Sequence, residues 1–171
     1  MTDEQKSIIV HIEFQTSNHK DMHFRMLRYI TEIHKLYSLP VVQLVLYIGK
    51  SKLNMKNGIN INIQDTNIDY RYKIVDIKTL DCDRFLNSNE SDMVILALLC
   101  DIESKDKNKL VKTILERLYA INSCDINSYK NSVLKLEVLS ELRKLQDVVK
   151  EEEIKMVETK AKNILRKANK I

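Results

Sequence analysis

An α/β core followed by a helical carboxy-terminal region is the fold class the sequence predicts, and three observations predict it. Hydrophobic periodicity is about two over residues 7–15, shifts to about 3.6 over residues 21–37, and gives way to a strand-length apolar run over residues 41–49. Strand patterns recur over residues 59–77, and only helical patterns follow Thr79. At 171 residues, 44% of them hydrophobic, the chain suffices for one domain, or a small domain with a helical appendage, around a buried core.

The first strand is "SIIVHIEFQ", rich in β-branched and aromatic residues and ended by the polar "TSNHKD". Strand side chains alternate, so Val10, Ile12 and Phe14 share one face, expected to pack, and His11, Glu13 and Gln15 share the other, left for chemistry. A helix follows from Asp21 to Tyr37. Its apolar positions Met22, Met26, Tyr29, Ile30, Ile33 and Tyr37 recur at steps of three and four, Asn18 or Asp21 is available as a cap, and Pro40 lies beyond its end. Then "VVQLVLYIG", closed by Gly49, reads as a strand buried on both faces.

Residues 59–77 read as a hairpin, with "ININ" and "YRYKIVDI" as arms and "QDTN" as the turn, expected to extend the same sheet. Helical pieces follow at Asp81–Leu86, Asp92–Cys100 and Asn108–Ile121, the last with a stripe of Leu110, Ile114, Leu118 and Ile121. Residues 128–170 read as helical throughout. One apolar series runs through Val138, Leu142, Leu145 and Val149 and a second through Ile154, Val157, Ala161, Ile164 and Ala168, suited to helix packing or dimerisation. The chain thus divides, on sequence, into a core at residues 1–106 and a helical region at residues 107–171.

Composition excludes several classes. With 2 Gly and 1 Pro there is no P-loop or dinucleotide fingerprint. Cys82, Cys100 and Cys124 are odd in number and far apart, so neither a disulfide framework nor a zinc site is indicated, which fits a reducing cytoplasm. The run "MVILALLC" is too short to span a bilayer, so no membrane association is expected. The net charge of +4 is unevenly spread, with residues 16–64 and 107–171 basic and residues 65–106 acidic. Basic segments suit a polyanion such as DNA, and they equally suit a solvated lysine-rich surface.

A strand carboxylate with a polar neighbour two positions on is the minimal equipment of a metal-dependent phosphodiesterase, yet ordinary strand alternation produces the same pair. A longer similarity separates the two. The stretch "VHIEFQTSNHKDMHFRMLRYITEIHKLYSLPVVQLVLYIG", with "DIKTLDCDRFL" and "LSELRKL" in the same order, resembles the recombination-promoting nuclease/putative transposase family of PD-(D/E)XK nucleases.

That resemblance implies a PD-(D/E)XK nuclease-like core of strand, helix, strand and hairpin, and a Mg²⁺-dependent DNA endonuclease activity. Glu13 matches the catalytic and metal-binding acid, Gln15 stands where the wider superfamily has Lys, and the Phe14 carbonyl would also face the metal. Arg25 and Tyr29 match an Arg and a Tyr four apart on the following helix, where the resemblance has them brace the site or touch phosphate and the residues alone equally suit a salt-bridge partner and a core aromatic; with Lys20 and Arg28 they form the expected nucleic-acid contact. His11, His19, His23 and His34 have no ligand spacing.

One departure stands out. The superfamily has a second metal-binding Asp one strand earlier, whereas only Asp3 and Glu4 precede Glu13 here, so the chain resembles a member shortened at its amino end, with Asp3 as the candidate second ligand. Two rival readings follow: a non-catalytic remnant that binds DNA or pairs with itself or a full-length relative through an open sheet edge, and a plain protein-interaction domain.

Overall fold

The computed structural model describes residues 7–100 and 106–168 and divides into two compact units between Ile77 and Lys78. The sequence-level boundary after residue 106 falls inside the second unit. The protein is mixed α/β, with its strands in the first unit and a helical carboxy-terminal region.

In the first unit, β1 (Ile9–Gln15), β2 (Val41–Tyr47) and β5 (Lys73–Asp76) form a parallel sheet in the order β1-β2-β5. The register places His11 beside Gln43 and Glu13 beside Val45. Helix α1 (Met22–Tyr37) makes the crossover between β1 and β2. Ser38 ends it in the left-handed conformation, with its N–H donating to the His34 carbonyl at 2.8 Å. Met22 and Met26 are fully buried against Val45, so α1 covers the sheet face carrying His11, Glu13 and Gln15.

Three sequence expectations need correction here. The face of Val10, Ile12 and Phe14 is the open one, with exposures of 57%, 47% and 58%, because α1 packs on the opposite face. For the same reason β2 is not buried on both sides, and Val42 is exposed. The hairpin of β3 (Gly58–Ile63) and β4 (Thr66–Arg71) does not extend the main sheet but forms its own two-stranded sheet. Only the end of "YRYKIVDI" joins β2, as β5. Tyr72 marks the break, its N–H donating to the Asn57 carbonyl, and unbroken alternation across it hides the change from the sequence. Ile59, Tyr70 and Tyr72 of this layer complete the core around Met22 and Met26.

The second unit is helical, with α2 (Cys82–Leu86), α3 (Ser91–Leu96), α4 (Lys107–Ile121), α5 (Ile126–Ser140) and α6 (Gln146–Ala168). Asp81, Asp106 and Asp125 cap α2, α4 and α5 by accepting amides of their first turns. Leu110, Ile114 and Leu118 lie in the core with Val133, Leu136 and Val149, as the stripe on α4 predicts.

Residues 128–170 are not one helix. After a 3₁₀ turn at Glu141–Arg143, Lys144 adopts the left-handed conformation and the Leu145 N–H returns to the Ser140 carbonyl at 3.1 Å, satisfying a carbonyl that a continued helix would have used. A lysine at this position carries no glycine signal, so periodicity runs through the break. Ile154 and Val157 are exposed, and the side chains of Ile164 and Ala168 lie outside the described residues.

Burial raises the pKa of the Glu153 carboxyl on α6 above its ordinary 4.5, and Glu137 on α5 adds to the shift. A carboxylate with a raised folded-state pKa binds its proton more tightly in the native state, so stability falls as pH rises through the window above 4.5. Glu153→Gln is therefore expected to raise the melting temperature at neutral pH, with the gain shrinking as pH falls below that window. Thermal unfolding of both proteins across pH checks it; a gain that grows on acidification would refute the assignment.

Candidate functional site

The site grows from a polar residue in an apolar strand. Gln43, within "VVQLVLY", is only 5% exposed, and both hydrogens and the oxygen of its amide have partners. Its Nε2 donates to the Met26 carbonyl at 3.0 Å and lies 3.0 Å from His11 Nδ1, while Oε1 accepts the Tyr70 hydroxyl. Since both amide hydrogens are spent as donors, His11 Nδ1 is the acceptor and the neutral ring carries its proton on Nε2. That nitrogen lies 3.9 Å from Glu13 Oε2. Burial raises the pKa of Tyr70, with Tyr72 adding to the effect, which keeps its hydroxyl a donor.

Glu13 closes the chain of contacts. Its Oε1 accepts from Arg25 Nη2 at 3.0 Å and from Gln15 Nε2 at 3.2 Å, and the same Gln15 amide reaches the Phe14 carbonyl at 2.8 Å. Glu13 and Arg25 are each about a quarter exposed, open enough for a polar ligand and sheltered enough for their attraction to outweigh that of a surface pair. Arg25 Nε is buried with no hydrogen-bond partner among the described residues. Tyr29 meets His11 edge to face at 5.2 Å, and Arg28 lies 5.3 Å over the Tyr29 ring.

Of the residues singled out from sequence, Glu13, Phe14, Gln15, Arg25 and Tyr29 thus come together, Arg28 sits over Tyr29 at the edge of the group, and Lys20 lines a separate cleft. Asp3 lies outside the described residues. Neither proposed cap serves α1: Asp21 is at the N-cap but makes no side-chain cap bond, and Asn18 instead ties down the loop after β2. Gln43 and Tyr70 were missed. The signal for Gln43 was present, a single amide interrupting a buried apolar strand, whereas nothing local distinguishes Tyr70.

Toward a divalent cation the described residues offer the Glu13 carboxylate and the Phe14 carbonyl, and no group of three His, Cys, Asp or Glu side chains converges among them. This set fits a cation whose remaining ligands come from substrate phosphates and water, as Mg²⁺ commonly has, and not one held by protein alone. The carbonyl keeps a second lone pair beside the Gln15 bond. The arrangement can hold negative charge beside a guanidinium and present an amide two residues away.

A family model described as "Putative transposase, YhgA-like" matches residues 1–129, which include every residue of this site. Searches of curated proteins and of solved structures return no match.

Tyr70→Phe leaves Gln43 Oε1 buried without its donor and is expected to cost about 1–3 kcal/mol of stability. Gln43→Leu removes three contacts and should cost more. Because the two side chains share a bond, the double variant should fall short of the sum by at least about 0.5 kcal/mol in a urea-unfolding cycle; simple additivity would mean that the bond does not couple them.

Proposed function

The chain belongs to the YhgA-like putative transposase family, and from that premise we propose that it acts on DNA as a homologue of metal-dependent endonucleases, with Glu13 as its catalytic carboxylate. The convergence of Glu13, Gln15 and Arg25 at one side of β1 is the observation that supports this reading. Glu13 and the Phe14 carbonyl would hold a Mg²⁺ completed by the DNA phosphate. Such an ion lowers the pKa of bound water and screens the phosphate charge.

The chain's own residues supply the rest. Gln15, a neutral amide, orients a water or a phosphate oxygen by hydrogen bonding and stays uncharged at any working pH. Arg25 neutralises Glu13 in the free protein, and its remaining donors suit a phosphodiester oxygen arriving beside it. Arg28 and Tyr29 extend the same side with a cation and an aromatic ring. Arginine competes with a cation for the one carboxylate that the described residues bring to this site, so cleavage is expected to be slow or undetectable, and DNA binding is the more robust property.

The open apolar face of Val10, Ile12 and Phe14 favours a second reading, a protein-interaction role in which that face meets a partner. DNA binding at two salt concentrations separates the two. A nuclease homologue should bind with an affinity that falls as salt rises, because Lys and Arg release phosphate counterions. Affinity indifferent to salt, or no binding at low salt, overturns the DNA reading.

Plasmid nicking with Mg²⁺ or Mn²⁺ tests the carboxylate. Any cleavage should vanish with EDTA and in Glu13→Ala, and weaken less in Gln15→Ala. Robust metal-dependent cleavage that survives Glu13→Ala would place the chemistry elsewhere.

A further inference from the structure

At its amino end, α1 borders a second feature that Glu13 does not share. A cleft of about 470 Å³ lies between the start of this helix and the loop after β2, walled by Lys20, Asp21, His23 and Phe24 on one side and Asn54 and Lys56 on the other. The far wall is built in place. Asn18 Nδ2 donates to the Lys52 carbonyl at 2.8 Å, and Asn18 Oδ1 accepts the Asn54 amide at 2.6 Å. The Tyr72 hydroxyl donates to the Lys56 carbonyl at 2.5 Å. Burial pushes the Tyr72 pKa up to about 12 against the opposing pull of Arg25, so this donor persists through the physiological range.

Three features of the cleft point to the same ligand chemistry. The first turn of α1 contains no acidic residue and Asp21 makes no side-chain cap bond, so among the described residues the His23 and Phe24 amides have no partner at the positive end of a 16-residue helix. His23 is only 8% exposed, and its Nδ1 has no hydrogen-bond partner among the described residues. A buried ring nitrogen without a partner is uncommon and calls for a ligand or water. Lys20 and Lys56 add two positive charges at the rim, against one negative charge from Asp21.

We propose that this cleft is a phosphoryl-binding site, in which the first-turn amides and His23 Nδ1–H donate to phosphate oxygens and Lys20 and Lys56 balance the charge. Backbone amides at a helix start with flanking cations form a general anion cradle. The site lies beyond the Glu13 cluster, since residues 23 and 25 point roughly 200° apart around a helix. The phosphoryl group could belong to a nucleic-acid backbone, to a terminal phosphomonoester or to free phosphate.

The test is an NMR titration of the full chain with inorganic phosphate, without metal, against sodium chloride at equal ionic strength. Omitting the metal separates its outcome from that of the cleavage assay. Saturable shifts are expected at the His23 ring and at the His23 and Phe24 amides, with binding about tenfold weaker in Lys20→Ala/Lys56→Ala and several-fold tighter in Asp21→Asn. Both lysines and Asp21 are exposed, so these variants should keep the fold. Shifts that merely follow ionic strength, or binding unchanged in the double lysine variant, would overturn the proposal.

Competition then identifies the source. Displacement of phosphate by an oligodeoxynucleotide without a terminal phosphate supports a backbone phosphodiester, and displacement only by the 5′-phosphorylated form supports a phosphomonoester. Displacement by neither supports free phosphate. Each is an outcome of a working phosphoryl site.

Discussion

The amide of Gln43 is the constraint on which the first unit depends. It bonds at once to α1 through Met26, to β1 through His11 and to β4 through Tyr70, so one buried side chain on β2 sets the mutual positions of helix, edge strand and hairpin. A leucine there would bury comfortably but would specify none of these relations. A buried amide tolerates only an arrangement in which each of its hydrogens and its oxygen finds a partner, so the fully satisfied network favours one packing over its near neighbours. Met22, Met26, Val45 and Tyr70 supply the apolar area around it, and the amide supplies register.

That register determines what Glu13 can be. With α1 fixed over the face of His11, Glu13 and Gln15, Arg25 stands next to the carboxylate, and the pair forms in a partly sheltered site. The result runs against the usual expectation for an edge strand, since the polar alternates are covered and the apolar ones are open. The inversion is coherent once the helix is considered. Arg25 and the Met26 carbonyl offer polar partners toward the sheet, so α1 covers the face of β1 carrying His11 and Glu13 and the face of β2 carrying Gln43 and Val45 together.

Much of this was legible in the sequence, for identifiable reasons. The change of period from two to 3.6 and back places β1, α1 and β2, and the parallel pairing of β1 with β2 follows from a helical crossover. Glu13 and Gln15 share a side because alternation requires it. Which face of β1 would be covered was not legible, because periodicity separates faces without saying which one a neighbour chooses. The break at Lys144 and the change of sheet at Tyr72 were hidden for a common reason: each is set by a backbone hydrogen bond, Leu145 to Ser140 and Tyr72 to Asn57, while the side chains of Lys144 and Tyr72 themselves carry no turn preference.

The same helix carries both groups of polar residues, and this links them mechanically. Successive helical residues advance about 100°, so turning α1 to bring Arg25 to Glu13 necessarily turns His23 away from the sheet and toward the loop after β2. Gln43 holds Met26 one residue beyond Arg25, and Asn18 holds that loop three residues before the helix N-cap. A rotation of α1 large enough to free Glu13 would therefore have to break the Gln43 bond and move His23 within its cleft. The Glu13 group and the His23 cleft therefore lie on opposite flanks of one helix, whose rotation is held by the Gln43 bond together with the packing of Met22 and Met26.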